Sequence, residues 1–172
     1  MIYHTDYIWR DGIPYPKGKG ENEPPSNGTV YKIAHDSYHK RISIEEYVNG
    51  KFTKIIYDSA LLEFRNLKPQ FQIGWEKIPY ELNRNLIRDE ADRVVWIEEY
   101  EFDDEKCIEC AIRYPGGPLL ARQKICYETL GDPFNGVILQ DSLGKTVMIK
   151  NYSLDAQGEF DEVLAESWQS QT

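Results

Sequence analysis

Three histidines, three cysteines and 29 carboxylates are the side chains of this 172-residue chain best suited to chemistry. His35 and His39 stand four apart, a spacing that on a helix brings two imidazoles to one face, as a zinc site requires. The segment His35-Asp36-Ser37-Tyr38-His39 falls between two predicted strands and has no Glu in the base position of a hydrolase motif. A solvated loop pair is the plainer reading. Cys107-Ile108-Glu109-Cys110 has the C-x-x-C form, with Cys126 following. A redox pair wants its first thiol at a helix N-terminus, where the dipole stabilises a thiolate. These two lie in a predicted strand, where an offset of three sends them to opposite faces. A zinc site would need a fourth ligand. Inert thiols in a core are therefore expected, with no metal and no cofactor.

No Ser sits in a G-x-S-x-G elbow, and Gly18-Lys19-Gly20 is too short for a phosphate loop and opens no helix. Two carboxylates such as Glu46 and Glu99 would have to converge inside a barrel for one to gain a raised pKa and act as an acid. The densest acidic run is Glu98, Glu99, Glu101, Asp103, Asp104, Glu105 and Glu109. Strand alternation puts Trp96, Glu98 and Tyr100 on one face and Glu99 with Glu101 on the other. Trp96, Glu98, Tyr100, Glu101, Asp103 and Asp104 form the candidate partner-binding set. Aromatics would supply buried contact, and carboxylates would orient the Lys and Arg of a basic protein. The plainer reading is a hydrated turn that protects a sheet edge. Calcium fits less well, because the run lacks the alternating oxygen ligands and the Gly of a known loop.

The elements that position these residues are strands. Arg93 to Glu128 reads as three consecutive antiparallel strands: Val94 to Phe102, Cys107 to Tyr114 and Leu119 to Glu128. The acidic turn Asp103-Asp104-Glu105 and the turn Tyr114-Pro115-Gly116-Gly117-Pro118 separate them. In the third strand Leu119, Ala121, Gln123, Ile125 and Tyr127 alternate with Leu120, Arg122, Lys124, Cys126 and Glu128, the period of a half-buried strand. Arg41 to Asp58 is a hairpin about Asn49-Gly50, where both turn residues must take φ > 0. Ile2 to Trp9, Thr29 to Ala34 and Gln70 to Trp75 read as further strands, and Val137 to Gln140 with Lys145 to Tyr152 as a last hairpin. Ser59 to Asn66 fits either a helical turn or a strand. Leu130 to Gly136 reads as a turn.

Three segments read differently. Asp11 to Gly28 is so dense in Gly and Pro that a flexible loop is expected. Pro79 to Asp92, with Leu82, Leu86 and Ile87, suggests a short helix near 79–91. Phe160, Val163, Leu164 and Trp168 share a helical face, which predicts a C-terminal helix, with a final strand as runner-up. Ile44-Glu45-Glu46-Tyr47 recurs as Ile97-Glu98-Glu99-Tyr100, an echo short enough to be chance in a chain rich in Glu and Tyr. Tyr47-Val48-Asn49-Gly50-Lys51 resembles one unit of MORN-like repeat proteins. Those string Gly-rich units in series, and a single unit does not carry the family over.

The expected fold is one mainly β domain over residues 1–172. About eight to ten antiparallel strands meander into a barrel or a strongly bent two-layer sheet, with minor helix. The length suffices to bury a core without staples. No apolar run reaches membrane-spanning length, and the N-terminus has neither the basic start nor the apolar core of a secretory signal. The odd count of three Cys suits a reducing cytosol. The net charge of −9 repels phosphate backbones and anionic membranes, which leaves solubility or steering toward a basic partner. The functional expectation is thus a non-enzymatic, cytoplasmic, acidic protein that binds a basic protein partner, as immunity proteins and antitoxins do. The alternatives are a small-ligand-binding β-barrel and a hydrolase-type enzyme using barrel carboxylates.

Overall fold

A computed structural model describes residues 2–36, 38, 41–59, 83–104, 106–127, 135–158 and 160–168. The expected elements at 60–66, 70–75, 79–82 and 130–134, as well as His39 and Glu105, lie outside these residues. The first sheet contains β1 (Tyr3–Arg10), β2 (Ile13–Glu21), β3 (Thr29–Asp36), β4 (Arg41–Val48) and β5 (Lys51–Asp58), in the order β2-β1-β3-β4-β5. The second contains β6 (Arg84–Arg88), β7 (Val94–Asp103), β8 (Lys106–Arg113), β9 (Leu119–Cys126), β10 (Gly136–Asp141), β11 (Thr146–Leu154) and β12 (Phe160–Trp168). Its order is the simple meander β12-β11-β10-β9-β8-β7-β6, and every pairing in both sheets is antiparallel.

The mainly β expectation holds, and the central meander and both predicted hairpins appear where the alternation and turn residues place them. The barrel does not. No ladder joins the five-stranded to the seven-stranded sheet among the described residues. One physical reason is visible at the edge strand β2, where Pro14 and Pro16 remove two N–H donors and so end the ladder. Side chains from both sheets nevertheless share one core cluster, with Tyr7, Trp9, Ile44 and Ile56 from the first and Trp96, Ile112, Leu139 and Met148 from the second.

The three segments read as non-strand are corrected. Ile13–Glu21, inside the expected 11–28 loop, is β2. Its prolines sit where an edge strand tolerates them, and Gly18 stands at a bulge opposite Thr5 with φ +85, a conformation and a close approach that suit glycine alone. Arg84–Arg88, inside the expected helix near 79–91, is β6. Its exposed Arg84, Leu86 and Arg88 alternate with half-buried Asn85 and Ile87 against β7. The expected C-terminal helix is β12, the runner-up reading. Val163 and Leu164, read as a helical core face, are 48% and 64% exposed, because pairing with β11 decides the backbone there.

The two copies of the echo differ in setting: Ile44 is the one buried residue of Ile44–Tyr47, whereas Ile97, Glu98 and Tyr100 are all buried in β7.

Asp11 (φ +49) and Gly12 (φ +73) form the two-residue β1–β2 turn, whose twist suits the flanking strands. A Cβ on Gly12 would stand 2.7 Å from Cε3 of Trp168, so the end of β12 packs directly on this turn of the other sheet. Gly12→Ala is expected to destabilise the protein by about 1–2 kcal/mol through strain at positive φ and displacement of the indole. Urea unfolding should show a lower midpoint at unchanged slope. An unchanged midpoint would mean that Trp168 does not pack there.

Candidate functional site

The carboxylates of the second sheet include two inward nodes and an outward acidic tip. The first node is Asp141, at the end of β10 and almost fully buried. Its turn Asp141-Ser142-Leu143-Gly144-Lys145 folds back so that the Leu143 and Lys145 backbone N–H groups donate to Oδ1 at 2.9 and 3.0 Å. Two donors reach Oδ2 from β1 of the other sheet: the Tyr7 hydroxyl at 2.6 Å and the Trp9 indole Nε1 at 2.9 Å. Tyr7 and Trp9 are two apart on one strand, so both face the same way. Burial, with the Asp141 carboxylate next, pushes the Tyr7 hydroxyl pKa far up and keeps it a donor.

Lys145 completes the seam. Its ammonium donates to Asp6 Oδ1 at 2.6 Å and to the Tyr7 carbonyl at 2.7 Å, and lies 3.9 Å from the centre of the Tyr7 ring. At Asp6 partial burial pushes the carboxyl pKa up, but the Lys145 hydrogen bond, the Tyr7 backbone N–H and the Lys145 charge outweigh it, and the net direction is down. One residue along, Ser142 N–H donates to the Ile56 carbonyl of β5 at 3.2 Å.

A carboxylate that accepts four hydrogen bonds in a closed setting has no lone pair left to take a substrate proton, so Asp141 is a joint and not a base. The second node, buried Glu98, accepts from the Tyr100 hydroxyl and from Asn85 Nδ2. Glu98, Ile112, Ala121 and Asp141 are paired in one cross-strand row. Three strand spacings, roughly 14 Å, separate the two carboxylates, too far for a proton-sharing pair. Glu46 and Glu99 do not converge either. Glu46 in the first sheet stands 3.9 Å from Lys54, and Glu99 in the second is held by Arg113 at 2.7 Å. Among the described residues no group of three metal-ligating side chains comes together.

The cysteines carry one correction. Cys107 and Cys110 are both buried in the core cluster, although an offset of three in a regular strand would split them. The bulge between Glu101 and Phe102 of β7 and the facing Glu109 and Cys107 of β8 gives β8 an extra residue and restores a common side. No disulfide joins Cys107, Cys110 and Cys126, and burial pushes the Cys107 thiol up to about 11, which makes it a poor nucleophile. His35 lies near the exposed end of β3.

The six residues of the candidate partner-binding set split between the two sides of β7. Trp96, Glu98 and Tyr100 are buried, while Glu101, Asp103 and Asp104 are exposed at the β7–β8 hairpin. The cause is alternation with one face closed by the core: strand period two assigns residues to sides but does not say which side is dry. The outward acids differ from their neighbours in pairing. Glu99 has Arg113, and Glu109 has Arg122 at 3.1 Å. Glu101 faces Glu109, whose cation is already engaged, and Lys106, opposite Asp103, has its ammonium 5.1 Å from the centre of the Tyr127 ring. No cation within the described residues neutralises Glu101, Asp103 or Asp104.

The Asp141 node escaped sequence reasoning, which took the residue for an ordinary turn. The available signal was an Asx-type turn, Asp141-Ser142-Leu143-Gly144, closing a hairpin. Nothing in the chain marks Tyr7 and Trp9, 134 and 132 residues away, as its donors. Comparison of the chain with protein-family models, with curated proteins and with solved structures finds no match.

Asp141→Ala strands two buried and two part-buried donors and is expected to cost about 3 kcal/mol of stability, against about 2 kcal/mol for Tyr7→Phe, which removes one charge-assisted hydrogen bond. Urea denaturation of both variants checks the ordering, and a loss for Asp141→Ala no larger than that of a surface substitution would contradict it. Asp6 supplies a pH dependence. Its folded-state pKa lies below its unfolded value of about 3.9, so its stabilisation is complete above that value and disappears as pH falls through the lower folded value. Carboxyl NMR titration should find the Asp6 midpoint depressed in the wild type and returned upward in Lys145→Met.

Proposed function

We propose that the protein is a non-enzymatic binding protein that presents the acidic β7–β8 hairpin tip, Glu101, Asp103 and Asp104, to a basic protein partner. One observation carries this reading: among the described residues these exposed carboxylates have no cation, where the adjoining Glu99 and Glu109 are each neutralised by a cross-strand Arg. A solvated protein surface with a net charge of −9 adds long-range attraction for a basic partner and repulsion for phosphate backbones. Trp96, Glu98 and Tyr100 serve this surface from beneath, by anchoring β7 in the core. The Glu98 carboxylate takes the Tyr100 hydroxyl and ties β7 to Asn85 of β6.

A second reading, a small polar ligand held against the inner face of the seven-stranded sheet, is favoured by Gln123. It is buried on β9, and its Oε1 accepts no hydrogen bond among the described residues. The enzyme reading has no comparable support, because Asp141 and Glu98 are engaged in hydrogen bonds and stand far apart, and Glu46 and Glu99 are ion-paired on different sheets.

The test is capture on immobilised protein with elution by a salt gradient. A variant combining Glu101→Gln, Asp103→Asn and Asp104→Asn is compared with Glu99→Gln, which alters a neutralised site on the same strand. The wild type and Glu99→Gln should retain a basic protein that salt releases, and the tip variant should lose it. Equal retention by the tip variant would refute the reading. A small extra mass on the intact protein in native mass spectrometry, with no retained partner, would favour the ligand reading instead.

A further inference from the structure

Three buried charged side chains of the seven-stranded sheet are answered by protein groups. Asp141 accepts four hydrogen bonds, Glu98 accepts from Tyr100 and Asn85, and the Lys150 ammonium meets Glu166 at 2.9 Å. Gln123 differs. It is 4% exposed, and its Oε1 accepts no hydrogen bond among the described residues. Strand pairing places it in the cross-strand row Tyr100–Cys110–Gln123–Leu139–Met148, whose members are all buried. Ala121 and Ile125, two residues to either side on β9, belong to the same core cluster as that row's apolar members. An unmatched buried amide is destabilising, and a Leu would fill a similar volume without that cost. A lone water is a poor partner here. Buried water is held by about three polar groups, and the flanking Leu139, Ala121 and Ile125 offer none.

We propose that Gln123 anchors a small neutral molecule with an apolar body and one amide edge, an N–H beside a C=O as in a lactam or a pyrimidone. The Gln123 carboxamide sets an acceptor beside a donor, which is the complement of such an edge. The apolar body would lie over Ala121 and Cys110, the smallest side chains next to Gln123, against Leu139 and Ile125. Charge narrows the class further. Glu98 and Asp141 stand in the adjoining row, Glu98–Ile112–Ala121–Asp141, and disfavour an anion. A cation would need a carboxylate of its own, and both of these are engaged by protein donors. The inference rests on the second reading above, to whose ligand it gives a chemistry, and uses no residue of the acidic tip.

The experiment is an NMR titration of the full chain with 2-pyridone, read at the side-chain NH2 of Gln123. N-methyl-2-pyridone is the control, which keeps the body and the carbonyl but lacks the donor. The expected result is a saturable shift of the Gln123 resonances by 2-pyridone, with binding about tenfold weaker for the N-methyl compound through one lost hydrogen bond. Gln123→Leu should abolish 2-pyridone binding and raise the urea midpoint of the ligand-free protein, because it removes an unmatched buried amide. A lower midpoint would mean that the folded protein itself satisfies the amide, and would overturn the proposal. So would equal binding of the two compounds. The N-methyl control tests the wild type, so the conclusion does not depend on the variant folding. Shifts confined to other inward residues of the sheet would remove Gln123 as the anchor and leave the second reading in place. No shift at all, with no extra mass on the intact protein, would sink both. The tip variant should bind 2-pyridone as the wild type does, so its loss of protein capture bears on the tip alone.

Discussion

The Asp141 carboxylate is the interaction on which the arrangement of the two sheets depends. Two of its hydrogen bonds close its own hairpin turn, and the other two come from Tyr7 and Trp9 of the opposing sheet. A carboxylate buried in this way is costly unless every lone pair is satisfied, and here the satisfaction requires both sheets to be in place at once. The same turn sends Lys145 to Asp6 and Tyr7, and Ser142 N–H to the edge of β5. One hairpin end therefore touches the five-stranded sheet at two places, β1 and β5. Apolar packing around Tyr7, Trp9 and Tyr57 is non-directional, and edge-to-face contacts such as Trp9 on Tyr57 at 4.9 Å add some geometry. The hydrogen bonds add the register.

That constraint explains why two sheets form in place of a barrel. A barrel closes by continuing its ladder, whereas here the sheets meet through side chains and one turn. The ladder ends are handled separately: proline on β2, a docked turn on β5, brevity and arginine on β6. On β12 two bulges against β11 and the acids Asp161, Glu162 and Glu166 play that part. Trp168 at its end packs over Gly12, which ties the last strand back to the first hairpin.

Charge is distributed according to the same logic. On the sheet faces, acids have cross-strand bases: Lys32 with Glu45, Arg113 with Glu99, Arg122 with Glu109. At the β7–β8 tip the ladder supplies none, because the facing residue of Glu101 is another Glu and the lysine opposite Asp103 has an aromatic neighbour. The surplus negative charge of the chain thus collects partly where a protein surface can be met by another, and the buried carboxylates Asp141 and Glu98 are reserved for joining elements.

Local signals in the chain settle its class and much of its strand inventory. Asn49-Gly50, the Gly-Pro turn after Tyr114 and the period of two from Leu119 to Cys126 act over a few residues, so they can be read without knowing what packs where. The acidic tip was legible for the same reason, since consecutive acids in a turn face water in most arrangements. Other features depended on neighbours far along the chain. Whether Trp96, Glu98 and Tyr100 faced solvent or core depended on which side of β7 the other sheet covers. Whether 84–88 and 160–168 became helix or strand depended on the ladders offered by β7 and β11, which outweigh a marginal helical periodicity. The Gly- and Pro-rich 13–21 segment became a strand because β1 had an edge to share. Asp141 became a joint only when β1 delivered two donors from the other end of the chain. Propensity acts within a turn or two, whereas burial and hydrogen-bond satisfaction are properties of the packed sheets, and these tertiary contacts decided what the local pattern left open.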